Sequence, residues 1–406
     1  MNAKSLGVSL GLCALALGSF VTAHAAAPVI TNITLIRANP HLGIQSDVGA
    51  INRVQFTTNL SQANWVVLTN LVVSQSGYEF VHTNPPVAPA RFYRIVACPT
   101  NAPSGMSMIP AGPFTMGDTL DTDTNAVPAH SVYVSAFYMD RNLVSKSLWD
   151  QVSQWATNHG YVFQTTLWGT PYGLGKAASH PVQEVTWYIA VKWCNARAEK
   201  EGLTPCYYTD AAQTEVYRDQ SVSISNIWVQ WTANGYRLPT EAEWEKAARG
   251  GVSGHRFPWS GADTITQARA NYNSTWSGGH PIYSYDLNSI SGYSSRFNDG
   301  VTPYTSPVGF FPANEYGLYD MSGNVWEWCW DWYRIYWYGE AGATQNDTRG
   351  PVSGDLIGGP PLFTPRRVIR GGSWVDDAHN ARCANRSNGM TGAAGDLVGF
   401  RCARGL

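Results

Sequence analysis

Gly317-Leu318-Tyr319-Asp320-Met321-Ser322-Gly323-Asn324-Val325-Trp326-Glu327-Trp328 carries two carboxylates, Asp320 and Glu327, on either side of a Gly323-Asn324 pair. A Gly-Asn pair turns the chain tightly, because both residues tolerate positive φ. Two anionic side chains bracketing such a turn can close on one hard cation, with carbonyls of the turn filling the gaps. Calcium accepts that irregular all-oxygen geometry more readily than magnesium does. The alternative is a tryptophan-rich turn, with Trp326, Trp328 and Trp330 following, whose acids face water.

The 406 residues allow two or three domains. Charged residues make up 14%, the net charge is −2 and no basic run occurs, so nucleic acid and anionic membrane are poor partners. Tryptophan (17), tyrosine (21) and glycine (39) are abundant, which suits long irregular segments pinned by aromatic side chains.

Lys4, the apolar run Leu10 to Phe20 and Ala23-His24-Ala25 read as a signal peptide over residues 1–25, with a mature chain from about Ala26. The run is too short for a membrane span. Export, to a periplasm, a cell surface or the medium, is the expectation. Removal of the signal takes Cys13 and leaves Cys98, Cys194, Cys206, Cys329, Cys383 and Cys402. An even number in an oxidising compartment favours disulfides, and the spacing fits no zinc pattern.

Residues 28–98 read as a small all-β, sandwich-like module, from short runs such as Val54-Gln55-Phe56-Thr57 and Tyr78-Glu79-Phe80-Val81 punctuated by turn residues. No titratable cluster occurs there, so a spacer or adhesion role is expected. A linker spans 99–105. Beyond it, Met108 to Gly117 reads as a strand and turn, and Val132 to Met139 as a second strand. A helix is expected near 145–158 with Leu148, Val152 and Trp155 on one face. A second follows Thr186 and ends before Gly202. Thr240-Glu241-Ala242-Glu243 is a capping box opening a third, with Gly250 beyond its end.

These pieces, in this order, resemble the formylglycine-generating enzyme family, the sulfatase-modifying factors. The matching residues include Met108 to Gly112, His180-Pro181-Val182, Gly235-Tyr236-Arg237-Leu238-Pro239-Thr240-Glu241-Ala242-Glu243-Trp244-Glu245 and Phe257-Pro258-Trp259. They continue with Tyr316 to Asp320, Gly323 to Trp328, Arg370-Gly371-Gly372-Ser373-Trp374 and Gly399-Phe400-Arg401. The resemblance covers 106–404 and implies an α+β fold related to C-type lectins, with little regular secondary structure. It also implies two structural calcium ions. One set matches Asp320 and Glu327 with the carbonyls of Gly323 and Val325. The other matches Asn271 and Asp299 with the carbonyls of Tyr272 and Val301.

The family's enzymes oxidise a substrate cysteine with dioxygen, using two cysteines that hold Cu(I), a thiolate-selecting ion. Those cysteines lie three and eight positions beyond the serine of the Gly-Gly-Ser motif, which here gives Asp376 and Ala381. A carboxylate and a methyl group cannot replace a dithiolate, so copper is not expected, and cysteine oxidation is the alternative reading. Iron-dependent sulfoxide synthases share the domain but need a histidine set absent here. No Gly-x-Ser-x-Gly elbow or phosphate loop occurs.

A third class is a binding module. Segments 375–381 and 387–398 are mainly small or polar between the Gly371–Trp374 and Gly399–Arg401 anchors, an arrangement suited to recognising a protein or small molecule. Retroelement-diversified variable proteins, which use this fold, vary in the same stretch. Ser373, Trp374, Asp376, Asp377, His379 and Asn380 are the expected centre of that surface. Family pairing implies a Cys194–Cys402 disulfide. Cys329 could pair with Cys383, whose usual partner position is Ala248, while Cys206 could compete for Cys194 and leave Cys98 unpaired.

Overall fold

The structure, a computed structural model, describes residues 29–36, 39–45, 51–58, 66–72, 78–82, 90–97, 102–163, 171–259, 263–357 and 364–406. The signal peptide reading and Cys98 lie outside them. The chain divides into two compact units, Met1–Thr100 and Asn101–Leu406.

The first unit contains two three-stranded antiparallel sheets. One runs β1 (Val29–Ile36), β2 (Asn39–Gln45), β5 (Tyr78–Val81); the other runs β4 (Val66–Val72), β3 (Ile51–Thr57), β6 (Phe92–Ala97). Leu42, Ile44 and Val54 are buried between them, with Ile33, Phe80, Tyr93 and Ile95 packed around. The β1–β2 hairpin escapes a propensity reading because β2 contains Pro40 and Gly43, residues that count against a strand.

In the second unit, β7 (Met106–Ile109), β8 (Gly112–Met116), β9 (His130–Val134) and β10 (Phe137–Asp140) precede α1 (Lys146–Thr157) and α2 (Trp187–Lys200). Next come β11 (Tyr236–Arg237), α3 (Glu241–Ala248) and the small hairpin of β12 (Trp276–Ser277) and β13 (His280–Pro281). The last part holds β14 (Trp326–Trp332), β15 (Leu356–Ile357), β16 (Thr364–Arg370), β17 (Arg386–Met390), β18 (Val398–Gly399) and β19 (Ala403–Gly405). One sheet has the order β11-β19-β10-β7. A second is β15-β16-β14-β18, with β17 also paired to β16, and β8 and β9 form their own hairpin. The stretch expected as a single strand over 132–139 is thus two strands of different sheets. The short α3 and the short, scattered strands are the α+β, loop-rich architecture expected.

Side chains close the N-termini of α1, α2 and α3. Ser145 Oγ accepts from Leu148 N (3.2 Å), and Thr186 Oγ1 from Ile189 N (3.2 Å). At α3 both bonds of the capping box are made: Thr240 Oγ1 accepts from Glu243 N, and Glu243 Oε2 from Thr240 N. The buried face of α1 is Trp149, Val152 and Ala156, one position round from the face expected. Trp149 sets that rotation, since its ring stacks parallel on Trp193 of α2 at 5.8 Å.

α3 is buried along its whole length although half its residues are charged. Buried charge persists only when paired, and here each acid has an arginine. Glu241 takes Arg386 (2.6 and 2.9 Å) and Glu243 takes Arg237 through both guanidinium nitrogens (2.6 Å each). Glu245 takes Arg249 (2.7 Å), Arg370 and the amide of Gly117 (2.8 Å). Burial works to raise the Glu245 carboxyl, and Arg249 and Arg370 outweigh it and hold it below the usual range. Because these partners come from β16, β17 and the loop after β8, the helix ties distant segments together. Among the described residues, no helix is long and apolar enough to cross a membrane.

Candidate metal centre and C-terminal surface

Segment 320–328 is the crossing point of several loops. Asp320, Gly323 and Asn324 adopt left-handed backbone (φ 54°, 76° and 71°). Gly323 N donates to Gly371 O (2.8 Å), Asn324 N to Asn271 O (2.8 Å), Trp374 N to Asn324 O (2.9 Å) and Trp326 N to Leu397 O (2.8 Å). The Asn324 carboxamide bonds both backbone groups of Ser306, accepting at 3.1 Å and donating at 3.2 Å. Any Cβ at position 323 would land on the Asn271 carbonyl, so glycine is required by space as well as by φ. The turn passes directly into β14. Period-two alternation there sends Trp328 and Trp330 to one side, where their indoles donate to Val185 O (2.8 Å) and Asn226 Oδ1 (2.7 Å). Glu327 points to the other side.

Both Glu327 oxygens accept from Arg401, at 2.7 and 2.8 Å, with neither side chain exposed. A carboxylate has about four lone-pair sites, so this pairing leaves acceptor capacity. Asp320 Oδ2 accepts from Gly309 N (2.7 Å), whereas Asp320 Oδ1 is buried without a hydrogen-bond partner. Burial pushes the Asp320 carboxyl up to about 6, with Glu327 acting in the same direction and Gly309, Arg401 and the Asn324 side chain opposing. A sealed carboxylate oxygen with no donor is costly, and a hard cation supplies what it lacks. Among the described residues no three or more His, Cys, Asp or Glu side chains cluster as metal ligands; the feature here that suits the family-implied calcium is the unpartnered Asp320 Oδ1.

The second set is occupied differently. Asp299 Oδ1 and the carbonyl of Val301 both accept from the Lys176 ammonium, at 2.7 and 2.9 Å. Lys176, and then the Val301 amide, hold the Asp299 carboxyl below its usual range. Asn271 turns its amide nitrogen to Tyr304 O (2.8 Å), and the Tyr272 carbonyl accepts from Gln267 (2.9 Å). As they stand, these four residues do not present an open oxygen cage.

The expected recognition residues divide by burial. Ser373 and Trp374 face inward, which corrects their place at the centre of a displayed surface. Ser373 donates its hydroxyl and its amide (3.0 Å) to Asp376 Oδ2, which also accepts from Trp326 Nε1 (2.8 Å). Burial holds the Asp376 carboxyl above the usual range despite these donors. Trp374 packs with Tyr293 and Tyr304 in an aromatic trio at 5.1–5.6 Å. The reason is local: Gly371 and Gly372 (φ 97° and 77°) turn the chain inward after β16. Segment 387–390 is strand rather than loop, paired with β16.

Asp377, His379 and Asn380 remain partly open to solvent. Asp377 Oδ1 accepts from Asn380 Nδ2 (3.0 Å), and His379 stacks on Tyr283 at 5.6 Å and meets Asp123 Oδ1 at 3.0 Å. Arg382 gathers Asp118, Asp121 and Asp123, pinning the 118–123 loop over this stretch. The acid-rich run Asp118 to Asp123 was the available sequence signal for that clamp. A cleft of about 430 Å³ opens elsewhere, lined by Pro110–Thr115, Lys246, Arg249 and Tyr316. None of the residues chosen from sequence line it.

Among the described residues no disulfide is formed. Cys194 of α2 and Cys402 touch, sulfur to sulfur at 3.7 Å. Cys329 and Cys383 share a core without thiol contact, so that expected bridge is not made. All four thiols, and that of Cys206, are buried.

Residues 93–406 match the model of the sulfatase-modifying factor enzyme 1-like domain. The chain belongs to that family. The formylglycine-generating enzyme of Thermomonospora curvata is 33% identical over 323 residues, covering 75% of this chain and 95% of that protein. The chaperone protein LppX of Paenibacillus barcinonensis is 34% identical over 294 residues, covering 71% and 87%. Among solved structures, Treponema denticola variable protein 1 superimposes with a TM-score of 0.52 at 27% identity, covering 74% and 95%. The family thus includes relatives named as enzymes and relatives that are not.

Proposed function

We propose that this chain is an exported, calcium-stapled binding module that recognises a ligand or protein through its C-terminal loops. The observation that carries the reading is Asp376. Where the family's enzymes carry a copper-holding thiolate, this carboxylate is tied to Ser373 and Trp326, and the described thiols are all buried. Cu(I) needs soft thiolate donors, and a substrate peptide does not reach these buried sulfurs. Asp377, His379 and Asn380 lie beside the Arg382-pinned loop, a rigid platform that supports recognition by side chains at little entropic cost. The likeness to a relative named a variable protein is consistent with such use.

Calcium at Asp320 and Glu327 has the role of holding the 320–325 turn against the Gly309 loop, a structural part with no step in any reaction. The test is direct. The purified chain is assayed for copper binding and for oxidation of a cysteine-containing peptide under air, with metal analysis alongside. The expected result is retained calcium, no stoichiometric copper and no turnover; turnover with bound copper refutes the binding reading.

A further inference from the structure

We infer that Lys176 replaces the second calcium ion: its ammonium is the built-in cation that fixes the 299–301 loop, which therefore needs no metal. The inference rests on the proposed calcium role at Asp320 only by contrast with it. Three groups surround the ammonium. Asp299 Oδ1 lies at 2.7 Å and Val301 O at 2.9 Å, and the ring of Tyr304 lies with its centroid 5.7 Å away. An ammonium has three N–H donors and no other need, so one carboxylate, one carbonyl and an aromatic face complete it. Calcium would ask for six to eight oxygens.

The other two members of the family-implied set are held in place by further bonds. The Asn271 amide nitrogen donates to Tyr304 O, and the Tyr272 carbonyl accepts from Gln267. The backbone also delivers Lys176 to this place. Its loop is fastened to the far side of the same segment by Val308 N donating to Ser179 O (2.8 Å) and by His180 Nδ1 meeting Thr305 Oγ1 (2.9 Å). Lys176 is mostly shielded from solvent while Asp299 is half-exposed. The contact is therefore a point charge held by packing on one side and open to exchange on the other. The two clamps of this domain differ in kind: one side-chain ammonium, and one carboxylate pair with an orphaned oxygen.

Amide hydrogen exchange of segments 296–306 and 320–325 in the full chain tests this, with chelator or with calcium chloride, in wild type, K176M and D320N. The expectation is that calcium leaves exchange at 296–306 unchanged in wild type, while K176M accelerates it about threefold in either medium, the scale of losing a partly exposed pair. Calcium slowing exchange at 296–306 in wild type and in D320N would overturn the inference, as would K176M exchange equal to wild type. If K176M does not fold, the wild-type and D320N arms still decide it. Calcium at Asp320 is read separately, at 320–325, so either assignment can fail alone.

Discussion

If calcium sits at Asp320 as proposed, the size of the effect of its removal follows from that carboxyl. In the metal-free protein burial, with Glu327 adding to it, pushes this carboxyl from the ordinary 3.8 up to about 6. A raised folded value means that the fold prefers the neutral acid. Its contribution is therefore complete below about pH 4 and is lost as pH rises through about 6. At about 1.36 kcal/mol per pH unit, the cost of the bare carboxylate above that range is about 3 kcal/mol. On the proposed reading, bound calcium offsets this cost above about pH 6, and below it the proton competes with the ion. For a unit of this size, 3 kcal/mol moves the melting temperature by about 5 °C. Differential scanning calorimetry with calcium and with chelator, at about pH 5 and about pH 7.5, measures it, and D320N isolates the contribution from other acids. The expectation is a chelator-induced drop at the higher pH, little at the lower, and none in D320N. Equal melting temperatures with and without calcium at the higher pH would refute the reasoning.

Removing charge from the α3 hub is costly. E245Q leaves Arg370 and Arg249 facing each other across a neutral amide, and denaturant unfolding is expected to show a loss of about 3–5 kcal/mol. G323A drives a methyl group into the Asn271 carbonyl at a left-handed position. Its loss of more than about 2 kcal/mol should appear in the same assay, with near-wild-type stability refuting the crossing-point role of the turn. Burial pushes the thiols of Cys206 and Cys383 up to about 12. A thiol reagent at neutral pH should therefore leave Cys194, Cys206, Cys329, Cys383 and Cys402 unmodified in the native state and react after unfolding, as mass spectrometry would show. D376N deprives the Ser373 amide and hydroxyl and the Trp326 indole of a charged acceptor. Unfolding should show a loss of about 1–3 kcal/mol, and no loss would mean that the carboxyl is idle.

The parts legible in sequence are those set by local rules. Thr186 and Thr240 announce two helix starts because N-caps act within three residues, and apolar spacing announces α1. The 317–328 turn was legible from its Gly-Asn pair and its acids. What was not legible depends on distant partners. No local pattern says that Glu241 faces Arg386 or that Glu327 faces Arg401, since each pair joins elements far apart in the chain. The same holds for Lys176, which sits in an unremarkable Gly-Lys-Ala run and meets Asp299 across the fold. The inward turn of Ser373 and Trp374 also depends on context. Polar residues between anchors suggest a surface, but two positive-φ glycines send the first of them into the core. α1 teaches the same lesson on a smaller scale, where stacking of Trp149 on Trp193 outranks the choice of Leu148.

The position of β19 in its sheet has a kinetic consequence. Ala403–Gly405 lies between β10 and β11, partners that precede it by well over a hundred residues. During synthesis, both neighbours emerge long before the strand that joins them, and Arg401 emerges 74 residues after its partner Glu327. Completion of this sheet therefore requires a long loop closure, the kind of non-local pairing that slows folding relative to local helix formation.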